Sequence, residues 1–228
     1  MKTAMTPAEL AACFDHTLLK AFAQRRDFET LCRDSVAYGF KMVAINSAPV
    51  KLCKELLQGS SVHVGAAISF PLGQTTIPVK AYETEQAIAD GADEIDYVIH
   101  IGKLKDGDFA YVREEMRTIV DICRKAGATS KVIFETCYLT REEIVRMAEI
   151  AREVGPDFIK TSTGFGTGGA TVENVRLMKE TVGDTVKVKA SGGVRDLETC
   201  LAMIRAGAER IGSSSSIEIV EAYRKSLG

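Results

Sequence analysis

The feature that most narrows what this chain can fold into is an alternation that runs its whole length. Short β-branched or apolar runs recur as "ACFDHTLL", "KMVAIN", "VHVGAAISF", "EIDYVIHI", "KVIFETC", "DFIKTS", "VKVKASG" and "ERIGSS". Between them lie segments whose apolar residues repeat at helical period, such as "PVKLCKELLQ", "VKAYETEQAIADG", "FAYVREEMRTIVDICRKAG", "REEIVRMAEIAREVG" and "VENVRLMKETVG". A strand followed by a helix and then another strand makes a parallel pair with a crossover, and no proline-, glycine- or serine-rich linker interrupts the series. Eight such units close naturally, so the expected fold is α/β: a TIM (β/α)8 barrel forming a single domain over residues 1–228, with a short N-terminal helix. A doubly wound open sheet is the alternative, disfavoured by the count of eight and by the lack of a G-x-G-x-x-G turn after the first strand. Helix starts carry their own signals: Thr6, Pro7 and Glu9 form a capping box with proline at the first helical position, and Thr140 with Glu143 forms another.

Composition excludes several partners. Twenty-nine basic and thirty-one acidic residues give a net charge of -2, without basic blocks or aromatic stacking platforms, so nucleic acid is not an expected partner. The opening "MKTAMTPAELAACF" lacks the apolar stretch of a signal peptide and suggests a cytoplasmic protein. The longest uncharged run, "VHVGAAISFPLGQTTIPV", contains Gly, Pro, Gln, Thr and His and reads as strand and loop rather than a membrane span. Six scattered cysteines fit reduced core thiols.

An internal repeat sets the register of three strands. "GADEID" (91–96), "GPDFIK" (155–160) and "GAERIG" (207–212) share a pattern in which glycine closes a helix, an acidic residue turns the corner and isoleucine enters the strand. The sixth position holds Asp96, Lys160 and Gly212, residues a bland strand would not choose, and equivalent register points all three into the barrel. Lys189 lies on the next strand after Lys160. A second ammonium nearby and partial desolvation both disfavour the charged form, so one lysine can become a nucleophilic amine that attacks aldehydes and ketones. Asp96 would offset the remaining positive charge and exchange protons with Lys189. The same residues also suit a buried Lys–Asp–Lys ion network that only specifies the barrel. Lys187, two positions before Lys189, is expected one layer lower, in a structural role.

Glycine-rich loops supply the second signal. "SGGVRD" (191–196) and "IGSSSS" (211–216) follow the seventh and eighth strands, where barrels commonly hold a phosphate on backbone N–H groups and a helix N-terminus. "STGFGTGG" after the sixth strand can add donors from the same side. Metal is not expected: His63 opens its strand and lies at the opposite barrel end from His16 and His100. No nucleophile elbow is present, since "GSSSS" lacks the pattern.

Together "FDHTLLK", "FPLG", "GADEIDYVIHIG", "KVIFETC", "DFIKTSTGFGTGGAT", "VKASGGVRD" and "RIGSSS", in this order along nearly the whole chain, resemble the deoxyribose-phosphate aldolase family. The resemblance implies reversible, cofactor- and metal-free cleavage of 2-deoxy-D-ribose 5-phosphate to D-glyceraldehyde 3-phosphate and acetaldehyde, with a sugar phosphate and aldehydes as the small-molecule partners. It assigns Lys160 as the Schiff-base lysine and Lys189 with Asp96 as the proton relay. Asp15 and Thr17 correspond to positions lining the substrate hydroxyls. Thr161 counts with the substrate-binding positions, and Gly164, Gly192, Gly193, Gly212, Ser214 and Ser215 match the phosphate site. The family often forms dimers, which makes a homodimer the matching expectation.

Departures from the family pattern carry expectations too. Where many members end in a tail with a terminal tyrosine that assists proton transfer, this sequence ends "YRKSLG", so slower turnover is expected, with Tyr223 no substitute. Ala44 stands where some relatives carry cysteine, and Ser47 where proline is frequent. Phe165 replaces a lysine near the phosphate, leaving the anion more dependent on backbone donors. Two other readings stay open on sequence alone: a lysine-dependent aldolase for a larger keto sugar phosphate, and a non-catalytic sugar-phosphate binding barrel.

Overall fold

The computed structural model describes residues 5–228. Eight strands pair in parallel and in chain order, and β8 closes onto β1. They are β1 Phe14–Leu18, β2 Met42–Asn46, β3 His63–Ile68, β4 Glu94–Val98, β5 Thr129–Ile133, β6 Phe158–Lys160, β7 Lys187–Ser191 and β8 Arg210–Ser213. Helices α1 Pro7–Ala11, α2 Arg25–Tyr38, α3 Val50–Leu56, α4 Ile77–Ala89, α5 Ile101–Lys105, α6 Phe109–Ala126, α7 Arg141–Val154, α8 Val172–Val182, α9 Leu197–Arg205 and α10 Ser216–Ser226 complete the described residues. The expected barrel and its N-terminal helix are both present.

Period-two alternation decides what faces which way. Val43, Ile45, Val64, Ile95, Val132, Ile159, Val188 and Ile211 belong to the buried apolar core and occupy the strand positions that alternate with the charged residues inside the barrel. Both capping boxes form: Thr6 and Glu9 exchange hydrogen bonds at α1, and Thr140 and Glu143 do so at α7. The glycine of the repeat ends its helix in the left-handed region, with φ of 107° at Gly91, 77° at Gly155 and 112° at Gly207. Each strand then opens one residue before the isoleucine, on Glu94, Phe158 and Arg210. The run read as the fifth strand also starts earlier than expected. β5 begins at Thr129, and "ETC" leaves the barrel as a turn with Thr136–Tyr138 in a 3-10 helix.

The interior departs from a barrel of stacked Val and Ile layers. Lys131, Lys160, Lys189 and Arg210 are buried there with Asp15, Glu94 and Asp96. At the N-terminal mouth His63 bonds Glu94 through Nδ1 at 2.7 Å and Lys41 through Nε2 at 3.1 Å. Lys187 is exposed at the same end, its Nζ 5.6 Å from the Phe158 ring centroid, the lower structural position expected for it. Among the described residues, no helix is long and apolar enough to cross a membrane.

Candidate active site

Strand register brings the two lysines side by side, for Lys160 on β6 pairs directly with Lys189 on β7. Both reach across the barrel to one oxygen. Asp96 Oδ2 accepts from Lys160 Nζ at 2.8 Å and from Lys189 Nζ at 2.7 Å. Lys131 on β5 donates to the other oxygen, Asp96 Oδ1, at 2.6 Å and also pairs with Glu94 at 2.6 Å. Lys189 has a second carboxylate, Asp15 Oδ2 at 2.5 Å, and Arg210 joins Asp15 at 2.6 Å to Glu94 at 3.3 Å. Four cations therefore share three carboxylates in a desolvated interior. The least compensated ammonium is the one that can most cheaply lose its proton.

That group is Lys160. It touches Asp96 alone, an oxygen already shared with Lys189. Burial pushes its amine down most; Asp96 pulls it back up, Lys189 and Lys131 add to the downward push, and the result is about 8. Burial would raise the Asp96 carboxyl, but Lys131, Lys160 and Lys189 together hold it well below the usual carboxylate range. Lys131 and Arg210 are both held above their ordinary values: burial opposes this, but their carboxylate partners outweigh it. The network thus keeps Asp96 ionised and relaxes its excess positive charge at Lys160.

Above the network a cavity of about 550 Å³ opens at the C-terminal ends of the strands, with Lys160 and Lys189 in its floor. Thr17, Gly164, Gly192, Gly193, Gly212 and Ser214 all line it. Gly212 is required by its neighbour: a Cβ there would stand 2.9 Å from Ser191 Cβ and 3.2 Å from Lys189 Cε. Phe165 also lines the cavity, edge-on to Phe70 with ring centroids 5.5 Å apart.

Three residues grouped with the substrate positions lie outside the cavity wall. Asp15 is fully buried, and its carboxylate holds Lys189 and Arg210. Thr161 follows Lys160 and so faces the other way; its hydroxyl donates to the Ser191 carbonyl at 3.0 Å and accepts from the Ser191 N–H at 3.1 Å, locking β6 to β7. Ser215 sits at the start of α10, and its N–H donates to Ser213 Oγ at 2.9 Å. Sequence reasoning missed Lys131, Glu94 and Arg210: Glu94 and Arg210 share the inward parity of Asp96 and Gly212 in the repeat, whereas Lys131 comes inward only through its register opposite Asp96. It also left unweighed Lys20 and Arg195, two cations in the cavity wall. Among the described residues no three His, Cys, Asp or Glu side chains gather to hold a metal ion.

Fold and site together define a (β/α)8 barrel with a buried, lowered amine in the floor of a glycine-rimmed cavity. The chain belongs to the DeoC/LacD family of aldolases, whose profile matches residues 9–219. It is 53% identical to a deoxyribose-phosphate aldolase of Lactobacillus acidophilus, over 95% of this chain and 91% of that relative. A Bacteroides thetaiotaomicron protein of the same name is 54% identical over 95% of this chain and 91% of its own length. The solved deoxyribose phosphate aldolase of Aeropyrum pernix, described as a unique tetramer, superposes with a TM-score of 0.90 at 31% identity, covering 98% of this chain and 94% of that one.

Proposed function

We propose that this protein is a deoxyribose-phosphate aldolase working through a Schiff base on Lys160. The observation that carries the reading is the Lys160 amine, brought down to about 8 in the floor of the cavity and hydrogen-bonded to a carboxylate it shares with Lys189. The neutral amine attacks C1 of the open-chain sugar, and loss of water gives a protonated imine. That imine accepts the electron pair of the C2–C3 bond as it breaks. The 3-hydroxyl loses its proton, C3 leaves as the aldehyde of D-glyceraldehyde 3-phosphate, and an enamine remains on Lys160. Protonation at C2 and hydrolysis then release acetaldehyde and return the free amine.

Asp96 and Lys189 are placed to move these protons, since their hydrogen bond ends 2.8 Å from the reacting nitrogen. Asp15, itself paired with Arg210, holds Lys189 by an ion pair. The phosphate fits the rim formed by Gly164, Gly192, Gly193 and Ser214, next to the start of α10, where backbone N–H groups and a helix dipole favour an anion. Anchoring that remote group holds C1 over Lys160. The test is a coupled assay in which acetaldehyde released from 2-deoxy-D-ribose 5-phosphate is reduced at the expense of NADH. Lys160→Ala should lose at least about a thousandfold of the rate while keeping its circular dichroism, in line with loss of a covalent nucleophile. Cleavage retained by that variant would make another amine the nucleophile.

A further inference from the structure

Glu135 is buried beside the cavity, yet the reaction as proposed gives it no task. The backbone on both sides of it is pinned along β6: Phe134 N–H donates to the Lys160 carbonyl and Thr136 N–H to the Thr161 carbonyl, each at 2.9 Å. Glu135 itself takes φ of 55°, a left-handed conformation that costs a residue with a Cβ about 1–2 kcal/mol. With that conformation its carboxylate meets the loop that follows β6. Thr163 N–H donates to Oε1 at 3.2 Å and to Oε2 at 3.4 Å, and the Thr163 hydroxyl donates to Oε2 in a short hydrogen bond. Thr163 Oγ1 in turn accepts from Phe165 N–H at 3.0 Å. The loop lies directly on this support, for a Cβ at Gly166 would come within 2.7 Å of Cys137 Sγ and 3.2 Å of Glu135 Cδ.

The turn held in this way contains Gly164, the part of the cavity wall that faces Gly192, and it carries Phe165 at the rim. We infer that Glu135 is a positioning residue for anion binding: its carboxylate latches residues 163–165 so that Gly164 stands opposite Gly192 and Gly193 before the sugar phosphate arrives. This rests on the sugar-phosphate reading above. Preorganisation of this kind acts on binding rather than on bond cleavage, because the latch touches neither Lys160 Nζ nor the atoms that react. Burial raises the Glu135 carboxyl, while the Thr163 donors and Lys160 lower it, and the net shift is upward. The Thr163 N–H and hydroxyl nevertheless bind the carboxyl through both of its oxygens.

The test compares the unaltered protein with Glu135→Gln and Thr163→Val, using inorganic phosphate followed by phosphorus NMR titration and the two sugars 2-deoxyribose 5-phosphate and 2-deoxyribose. An amide at 135 offers one acceptor oxygen instead of two. Either variant should bind phosphate about tenfold more weakly and show a KM for the phosphorylated sugar raised by a similar factor, as expected for losing a charge-assisted hydrogen bond, with kcat changed less than about twofold. Turnover of unphosphorylated 2-deoxyribose should change no more than kcat does, and Thr163→Ser, which keeps the hydroxyl, should restore phosphate affinity. Unchanged phosphate affinity in both variants overturns the latch, and so does an equal loss on both sugars, which would mean general structural support. If Glu135→Gln loses its circular dichroism signature, the Thr163 pair decides. Absence of cleavage by the unaltered protein would overturn the aldolase reading alone, because the phosphate titration is read without turnover.

Discussion

At the scale of the residue, the proposed chemistry depends on how much neutral amine Lys160 offers. An ordinary lysine near 10.4 is neutral in about one molecule in 2,500 at pH 7, whereas one at about 8 is neutral in about one in ten. Rate should therefore rise with pH and level off above about 8. Lys189→Leu removes a cation that lowers Lys160 and frees the Asp96 oxygen the two share, so the rising limb should move to higher pH while kcat falls with the loss of the relay. Coincident pH profiles for the two proteins would show that Lys189 does not set the Lys160 proton. Parity in the repeat points Asp96 and Lys160 inward, and strand pairing then sets Lys189 beside Lys160. Sequence alone offers no means of ranking desolvation against cation proximity, and burial turns out to be the larger cause. The partners of Asp15 were hidden for a related reason: an acid and an arginine 195 positions apart meet only after β8 closes onto β1.

At the scale of the element, the strand and helix pattern was legible where periodicity and local capping agree. Thr140 and Glu143 announce α7 in the sequence and exchange hydrogen bonds in the structure. Thr140→Ala should cost about 1 kcal/mol, as for other cap deletions, read as a lower urea midpoint with unchanged slope. A larger loss would mean that the cap also holds the turn after β5 in place. Short α5 gave no such signal, since Ile101–Lys105 is only five residues and begins on His100, whose ring accepts from Lys103 N–H. The β5 boundary failed where apolar character continues past the strand: Val132, Ile133 and Phe134 are equally buried, but the backbone turns away at Glu135. Apolar runs report burial, and only backbone conformation reports where a strand stops.

At the scale of the whole molecule, the barrel interior joins stability to the proposed function through one ion network. Lys131 is fully buried between Glu94 and Asp96 and is not among the residues that line the cavity, yet two carboxylates depend on it. Lys131→Met should destabilise the protein by about 3–5 kcal/mol in urea unfolding, because it strands buried charge rather than deleting a pair. A change below about 1 kcal/mol would indicate that the remaining cations re-satisfy both acids. The same substitution removes one of the cations that lower Lys160, and so should raise that amine as well. All of this converges on a covalent bond at a single nitrogen. Borohydride reduction in the presence of 2-deoxyribose 5-phosphate, followed by peptide mass spectrometry, should find an ethyl group from the reduced two-carbon imine, or the reduced sugar adduct, on Lys160. A protein that cleaves the sugar yet carries the label on another lysine, or carries none, would contradict the account.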